Sequence, residues 1–110
     1  MLSIMIPPLF MREVQIFVIE NIRDTNLSTE DLAKAFNLSS SQIYRRIMQK
    51  AGVSPSVLIR NIRLAQAHRL IVQSDLSLSE IADRVGFAYL SYFSKCFKAY
   101  YGYSPSSLRM

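Results

Sequence analysis

The sequence predicts an all-α fold in which two helix-turn-helix units are joined by a long connector helix, with about seven helices in all. Three observations support this fold. A helix, a glycine-containing turn and a second helix are indicated from Leu76 to Pro105, and this order is typical of a helix-turn-helix. A similar pattern runs from Leu27 to Pro55. Between the two patterns, the 19 residues from Pro55 to Gln73 contain no glycine, and no proline after the first residue.

The first predicted helix follows the Pro7-Pro8 pair, because paired prolines end any regular structure before Leu9. Apolar residues then recur at helical spacing, which indicates an amphipathic scaffold helix that packs on the first unit. These residues are Phe10, Val14, Phe17, Val18 and Ile22. Residues 1–8 are expected to be a linker or an N-terminal tail.

The second helix of the first unit has a clear start signal. Ser39 and Gln42 have the spacing of a capping box, in which each side chain binds a free backbone N–H at the start of a helix. The helix is therefore predicted to open after Ser39 and to run to about Ala51. Within it, Ile43 and Ile47 are four residues apart and are predicted to face inward.

The connector helix is predicted from its own start signal. Ser54 and Pro55 are suited to the N-cap and the first helical position, and the helix continues to Gln73. At 1.5 Å per residue its length is about 28 Å. Its predicted buried stripe is Leu58, Ile62, Ala65 and Leu70, with the arginines on other faces. A stiff connector of this length would hold the two helix-turn-helix units at a fixed spacing.

The second unit begins with Ser77 and Glu80, again at capping-box spacing. Gly86 follows the first helix of this unit, where a left-handed residue would close it. A final turn is predicted from Ser104 to Arg109. The predicted core residues of the unit are Phe87, Phe93 and Phe97.

The start of the last long helix lacks a capping side chain. Neither Ala88 nor Tyr89 has a side-chain oxygen suited to accept a hydrogen bond from the first free N–H groups. If the helix opens at Ala88, serine at that position is expected to stabilise the protein.

The two units are copies of one pattern. Asn37 of the first turn matches Gly86 of the second, and asparagine is the non-glycine residue that best tolerates the left-handed region. At an offset of 49 the matching positions of the first unit are Leu27, Ser28, Leu32, Ala33, Phe36, Asn37 and Leu38. At an offset of 50 they are Ser41, Arg45, Ile47, Gly52, Ser54, Pro55 and Ser56. The second turn has therefore gained one residue.

A longer signature from Ile81 to Pro105 reads IA-x-x-x-GF-x-x-x-S-x-F-x-x-x-FK-x-x-x-G-x-SP. In this signature the chain resembles the AraC/XylS-type DNA-binding domain, over roughly residues 10 to 109. The resemblance implies two helix-turn-helix units on one connector and sequence-specific binding of double-stranded DNA. It also implies a bacterial transcription factor whose reading helices enter two successive major-groove segments. A stiff connector about 28 Å long then favours one monomer that covers two DNA boxes about one helical turn apart.

Matched onto the family pattern, two sets of positions are implied to contact DNA. The base-reading positions are Ser41, Tyr44 and Arg45 on the first reading helix, and Leu90, Ser91, Ser94 and Lys95 on the second. The positions expected to contact phosphate are Ser40, Arg46, Lys50, Arg63, Tyr89 and Lys98. Arg45 could bind guanine with two hydrogen bonds, and Lys95 could reach guanine O6 or N7. For both residues the alternatives are phosphate contact or solvation. The second reading helix departs from the family pattern just after Phe87, so the alternative there is that base contacts are not made and Tyr89 lies against sugar or protein.

The charge distribution favours an anionic partner. The net charge is +5, and residues 32–74 contain seven basic residues and no Asp or Glu. Acidic residues cluster instead near the starts of the first helices of the units, where they complement the positive end of the helix dipole. The simpler interpretation is that the basic residues only solvate helices. The repeat makes nucleic-acid binding the better interpretation.

Length and composition limit the other classes of function. The 110 residues are expected to form one domain over 9–110, with units at 9–54 and 76–110 and a connector at 55–73. One cysteine cannot form an internal disulfide or a metal cluster, which favours a cytoplasmic protein with no metal or cofactor. No apolar run approaches the roughly 18 residues that a membrane-spanning helix needs. The isolated domain is expected to be monomeric.

Catalysis is not expected, because no nucleophile elbow, paired carboxylates or phosphate-binding loop is present. Cys96 is predicted to be a partly buried structural thiol, and His68 a surface or packing histidine. The alternative function is a helical protein-interaction module that docks on the transcription machinery, with RNA polymerase as the candidate partner. The chain is also expected to be the C-terminal output domain of a larger regulator or hybrid sensor.

Overall fold

A computed structural model of the chain describes residues 9–109, so the expected tail at residues 1–8 lies outside the described residues. Over that range the fold is all-helical, as predicted, with six α-helices, one 3₁₀ helix and no strand. The α-helices are α1 (Leu9–Glu20), α2 (Thr29–Ala35), α3 (Ser40–Ala51), α4 (Pro55–Gln73), α5 (Leu78–Arg84) and α6 (Leu90–Tyr101). The 3₁₀ helix is Pro105–Arg109, at the predicted final turn.

The chain forms two compact units. Residues 9–21 and Leu27–Ile59 make the first, whereas Ile22–Asn26 and residues from Arg60 onward make the second. Five of the eight residues between α1 and α2, Ile22–Asn26, therefore belong to the second unit, although they lie between two segments of the first. Ile22, predicted to continue the apolar face of the first helix, lies beyond α1 and packs against the core of the second unit.

In the first unit, α1 and α2 both pack on α3. The side chains of Ile43 and Ile47 are fully buried, as their spacing predicted. Phe36 closes α2 and meets the rings of Phe10 and Phe17 edge-on, at centroid distances of 5.7 and 6.2 Å. The other buried residues of these three helices are Met11, Val14, Val18, Leu32 and Ala33.

Hydrogen bonds at the turns of the first unit fix where its helices begin and end. The predicted capping box of α3 is present, since Gln42 N donates to Ser39 Oγ and Ser39 N donates to Gln42 Oε1. A second box, formed by Ser28 and Asp31, opens α2. Asn37 adopts the predicted left-handed conformation with φ 55°. The tight turn between α2 and α3 therefore follows from local chemistry.

The core of the second unit is built around three aromatic residues. Phe93 and Phe97 are fully buried and Phe87 nearly so, which confirms their predicted place. They pack with the inner faces of α4 and α5 and with Val85, the C-cap of α5; the buried residues of the two helices are Leu64, Ala67, Ile71, Ile81 and Ala82.

The first helix of the second unit begins with only half of the predicted capping box. Glu80 N donates to Ser77 Oγ at 3.1 Å, but the return bond from the Glu80 side chain is not formed. Glu80 instead pairs with Arg84, with Oε2 and Nη2 3.4 Å apart. An exposed glutamate gains as much from an ion pair one helical turn away as from the N-cap amide, so the spacing alone did not decide between them.

The connector α4 has the predicted bounds, but its predicted buried stripe is only partly right, since Leu58 is buried and the other three residues are not. Ala65 is exposed, and Ile62 and Leu70 are only half-buried. The residues of α4 that are buried are Pro55, Leu58, Ile59, Arg63, Leu64, Ala67 and Ile71. The observed buried face is therefore rotated about the helix axis relative to the predicted one. It includes Arg63, a charged residue that hydrophobic periodicity assigns to the surface.

Candidate nucleic-acid interface

The outer face of α3 presents polar and basic side chains on a rigid support. Its inner face is held by the buried Ile43 and Ile47, and Gly52 closes the helix with φ 74°. Ser41, Tyr44 and Arg45 are all exposed and lie at helical spacing on one face. An exposed helical face of this kind fits the major groove of DNA.

Arg46, one of the residues of the first unit predicted to contact phosphate, packs against an aromatic ring. The guanidinium carbon of Arg46 lies 5.6 Å from the centroid of the Phe10 ring, which is cation–π geometry. This contact limits the number of rotamers that Arg46 must lose on binding an anion. Ser40 and Lys50, also predicted to contact phosphate, are exposed on the same helix.

A shallow depression on α3 adds a residue that the sequence reasoning missed. It has a volume of about 190 Å³ and is lined by Gln42, Arg45, Arg46 and Gln49. Gln42 Oε1 is engaged in the capping box, but Gln49 is exposed. Glutamine can bind the adenine edge with two hydrogen bonds. The spacing of four from Arg45 was the signal that could have found Gln49.

The outer face of α6 is less polar than that of α3. Tyr89 is 72% exposed and Leu90 is 42% exposed, and both lie at the start of the helix. Ser91, Lys95 and Lys98 are exposed, whereas Ser94 is half-buried. The structure therefore brings the predicted contact residues of the second unit to one surface, with Ser94 set back from it.

The N-cap of α6 is Tyr89, one residue after the predicted opening at Ala88. Tyr89 makes no side-chain cap hydrogen bond, which confirms the expected uncapped start of the helix. The helix starts one residue later than the prediction placed it. At the equivalent position of the first unit, Ser39 caps α3.

Replacing Tyr89 with serine is expected to stabilise the protein by about 0.5–1 kcal/mol, because a hydroxyl at this position can accept a hydrogen bond from a free N–H of α6. Thermal unfolding followed by circular dichroism measures the change. Ala88→Ser is the matched control and should leave the melting temperature unchanged. A gain from Ala88→Ser instead would move the cap back to that residue.

Arg63 does not face solvent, so its predicted phosphate role is wrong in this structure. Its side chain is 6% exposed and donates to three backbone carbonyls, those of Ile22, Asp24 and Val85. The bonds to Val85 O and Asp24 O are both 2.8 Å long. Burial lowers the pKa of Arg63 and the nearby Asp24 carboxylate opposes that shift.

Arg109 has a similar structural role near the end of the chain. Its guanidinium donates to the carbonyls of Ile71 and Ser74 at 3.1 and 2.9 Å, and also to that of Leu76. Ile71 lies in the last turn of α4, where carbonyl oxygens have no intrahelical partner. Arg109 therefore caps the connector helix rather than offering a charge to a ligand.

His68 and Cys96 occupy the structural places predicted for them. His68 Nε2 lies 3.0 Å from Tyr103 Oη, and its ring stacks on that of Phe97. Cys96 is a free, half-buried thiol. Beside His68, burial raises the pKa of Tyr101, with smaller contributions from Tyr100 and Tyr103. Among residues 9–109 no group of His, Cys, Asp and Glu side chains is placed to hold a metal ion.

The helices of the described range are all too short or too polar to cross a membrane. The two ion pairs found there, Arg23 with Asp83 and Arg84 with Glu80, are solvent-exposed. Neither pair contains a residue of α3 or α6, so the basic residues on these two helices remain available to an anionic ligand.

Comparison with known proteins gives matches across most of the chain. A family model described as a helix-turn-helix domain matches residues 32–110. The Msm operon regulatory protein of Streptococcus mutans is 35% identical over 92 residues, which is 84% of this chain and 33% of that protein. The chain therefore spans about a third of the length of this curated relative.

Two solved structures have the same fold. The DNA-binding domain of AdpA, a global transcriptional factor crystallised with a target DNA, superposes with a TM-score of 0.81 and 30% identity. The match covers 89% of this chain and 87% of that one. A transcriptional regulator from Chromobacterium violaceum, described among AraC-type DNA-binding domain-containing proteins, has a TM-score of 0.83 and 28% identity, with coverage of 89% and 87%.

Proposed function

This chain belongs to the AraC-type family of helix-turn-helix DNA-binding domains, and we propose that it regulates transcription by binding a specific double-stranded DNA site. The observation that carries the proposal is the repeated reading helix. Two equivalent helices, α3 and α6, each have a buried apolar face and an exposed face with basic side chains. One chain can therefore offer a helix to each of two successive major-groove segments.

The residues proposed to read bases keep the roles predicted from the sequence. Ser41, Tyr44 and Arg45 serve on α3, and Leu90, Ser91, Ser94 and Lys95 serve on α6. Phosphate contacts come from Ser40, Arg46, Lys50, Tyr89 and Lys98. Exposure of all but Ser94 supports the assignment. Arg63 is left out because its guanidinium is occupied.

Salt dependence is the first test of the proposal. The exposed cations are enough for about 4 to 8 phosphate contacts, so the logarithm of the binding constant should fall with the logarithm of salt concentration with a slope of roughly −4 to −7. Fluorescence anisotropy with a labelled duplex of random sequence measures this slope. A slope near zero would contradict the DNA-binding proposal and favour the protein-docking alternative, which has no reason to show counterion release.

Base reading is tested with a site selected from a random DNA pool. Arg45→Ala is expected to relax sequence preference in one box only and to cost about 1–3 kcal/mol of binding free energy if its contact with guanine is bidentate. Lys95→Ala should affect the other box and cost less, because lysine is a single flexible donor.

Binding to a panel of single-base variants of the site separates base contact from phosphate contact for Arg45 and Lys95. An equal loss on every variant would show that the mutated residue contacts phosphate. Loss of preference in the same box from both substitutions would contradict the assignment of one reading helix to each box.

The wider role is proposed from the lengths of relatives. Since the chain spans about a third of the Msm operon regulatory protein, we infer that it is the output domain of a longer regulator. Two reading helices in one chain remove the need for a second copy, which supports a monomeric domain. RNA polymerase is the proposed protein partner, the cytoplasm the proposed location, and binding rather than catalysis the proposed activity.

A further inference from the structure

A groove on the second unit lies between α4 and α6 and is not explained by the roles assigned so far. Its volume is about 340 Å³. The residues that line it are Arg60 from α4 and Tyr92, Lys95, Cys96, Ala99 and Tyr100 from α6. Of these, only Lys95 has been given a role in DNA binding.

The groove occupies a face that is repeated in the first unit. At an offset of 50, Tyr92, Lys95, Cys96 and Ala99 match Gln42, Arg45, Arg46 and Gln49, the residues that line the depression on α3. The α3 face carries two adjacent arginines. In α6, Cys96 stands where the second arginine would be, and Arg60 of the connector brings a cation to the same face. Each unit thus has a pair of cations on this face, Arg45 and Arg46 in the first unit and Lys95 and Arg60 in the second.

The chemistry of the groove indicates an anion with polar oxygens. Its lining contains two cations, two phenol groups and no carboxylate. Tyr92 and Tyr100 are each 52% exposed, so their hydroxyls can reach a ligand. Neither Arg60 nor Lys95 is in an ion pair with another of the residues 9–109. Arginine, lysine and tyrosine are among the side chains that proteins use to bind DNA phosphates.

We propose that this groove seats a backbone phosphate of the DNA strand that flanks α6, with Arg60 as the principal cation and Tyr92 and Tyr100 as hydrogen-bond donors. The proposal rests on the DNA binding proposed above. DNA is favoured over an acidic polypeptide because the groove shares Lys95 with the exposed face of α6. A duplex whose major groove receives that face brings one of its strands along the side of the helix.

Arg60→Gln is the main test, because the variant removes the charge but keeps a polar side chain at an exposed position. The salt slope should become less steep by about one, and affinity at low salt should fall about 3- to 10-fold, equally on specific and random duplexes. Tyr100→Phe should weaken binding less and leave the slope unchanged, since it removes a donor but no charge.

Arg69→Gln is the matched control. Arg69 is the other exposed arginine of α4, it lies outside the groove, and its Nη2 donates to Gln66 Oε1 at 2.8 Å. This variant should bind like the wild type. Equal behaviour of Arg60→Gln and Arg69→Gln would overturn the groove proposal and leave DNA binding intact. Absence of salt-dependent binding by the wild-type protein would overturn both.

The single cysteine of the chain provides a second measurement. Cys96 lines the groove, so alkylation by iodoacetamide reports whether the groove is occupied. A saturating duplex should slow alkylation of the wild-type protein several-fold, measured by mass spectrometry against time. Equal alkylation rates with and without bound DNA would show that the duplex leaves the groove open, which contradicts the proposal even where binding is tight.

Discussion

Replacing Gly86 with alanine is expected to reduce the free energy of unfolding by about 4 kcal/mol or more. Gly86 has φ 92°, where an L-amino acid is strained by about 1–2 kcal/mol. A Cβ atom there would also lie 1.3 Å from Arg63 Nη1 and 2.1 Å from the Ile22 carbonyl oxygen. The guanidinium would have to move, which breaks its bonds to the buried carbonyl of Val85 and to the half-buried carbonyl of Ile22, at a further cost of about 1–3 kcal/mol for a buried group left unsatisfied.

Urea unfolding of Gly86→Ala measures this effect, and Gly102→Ala is its matched control. Gly102 has a similar φ of 84°, but no atom lies within 4 Å of the position of its Cβ. The control should therefore show the backbone strain alone, about 1–2 kcal/mol. If both variants lost the same stability, crowding against Arg63 would have no part in the requirement for glycine.

Replacing Arg63 with methionine is expected to cost about 3 kcal/mol of unfolding free energy. Methionine can fill the space of the arginine stem, but it leaves the carbonyls of Ile22, Asp24 and Val85 without their donor. An unsatisfied buried carbonyl costs about 1–3 kcal/mol, and part of the total is offset because a charge no longer has to be desolvated.

Arg69→Met is the control for Arg63→Met, since Arg69 is exposed on the same helix and should change stability by less than about 0.5 kcal/mol. The combination of Arg63→Met with Gly86→Ala should cost clearly less than the sum of the single changes, because both remove the same hydrogen bonds. Additive losses would mean that the two residues act independently.

Local chemistry made much of this fold predictable. The bounds of α4, the capping box at Ser39 and the left-handed residues Asn37 and Gly86 depend on neighbours within a few positions, and all are as predicted. The aromatic core followed from helical spacing, since Phe93 and Phe97 are four residues apart and share one face of α6.

The role of Arg63 could not be predicted because its partners leave no mark in the sequence. Every residue carries a carbonyl, so nothing distinguishes Ile22, Asp24 and Val85 as acceptors until the chain has folded. The partly wrong stripe on α4 has the same origin, since periodicity counts only apolar residues. For α6, the length of the turn after Phe87 decided whether Ala88 or Tyr89 became the N-cap.

The residues proposed to contact DNA also divide into those that local spacing could place and those that depend on tertiary packing. Exposure of Ser41, Tyr44, Arg45 and Lys95 follows from the apolar spacing of their own helices, so sequence was sufficient to place them on a surface. The groove was not predictable, because Arg60 reaches the side of α6 only through the packing of α4 in the second unit.

The interleaved order of the two units limits how this protein can be divided or could have been assembled. The chain leaves the first unit after Asn21, contributes residues 22–26 to the second and returns at Leu27. A gene fragment that starts at residue 55 would encode Arg63 without two of its three acceptors. A duplication can explain the two similar halves, but the present halves are no longer exchangeable modules, since the five codons for residues 22–26 of the second unit lie within the first half of the gene.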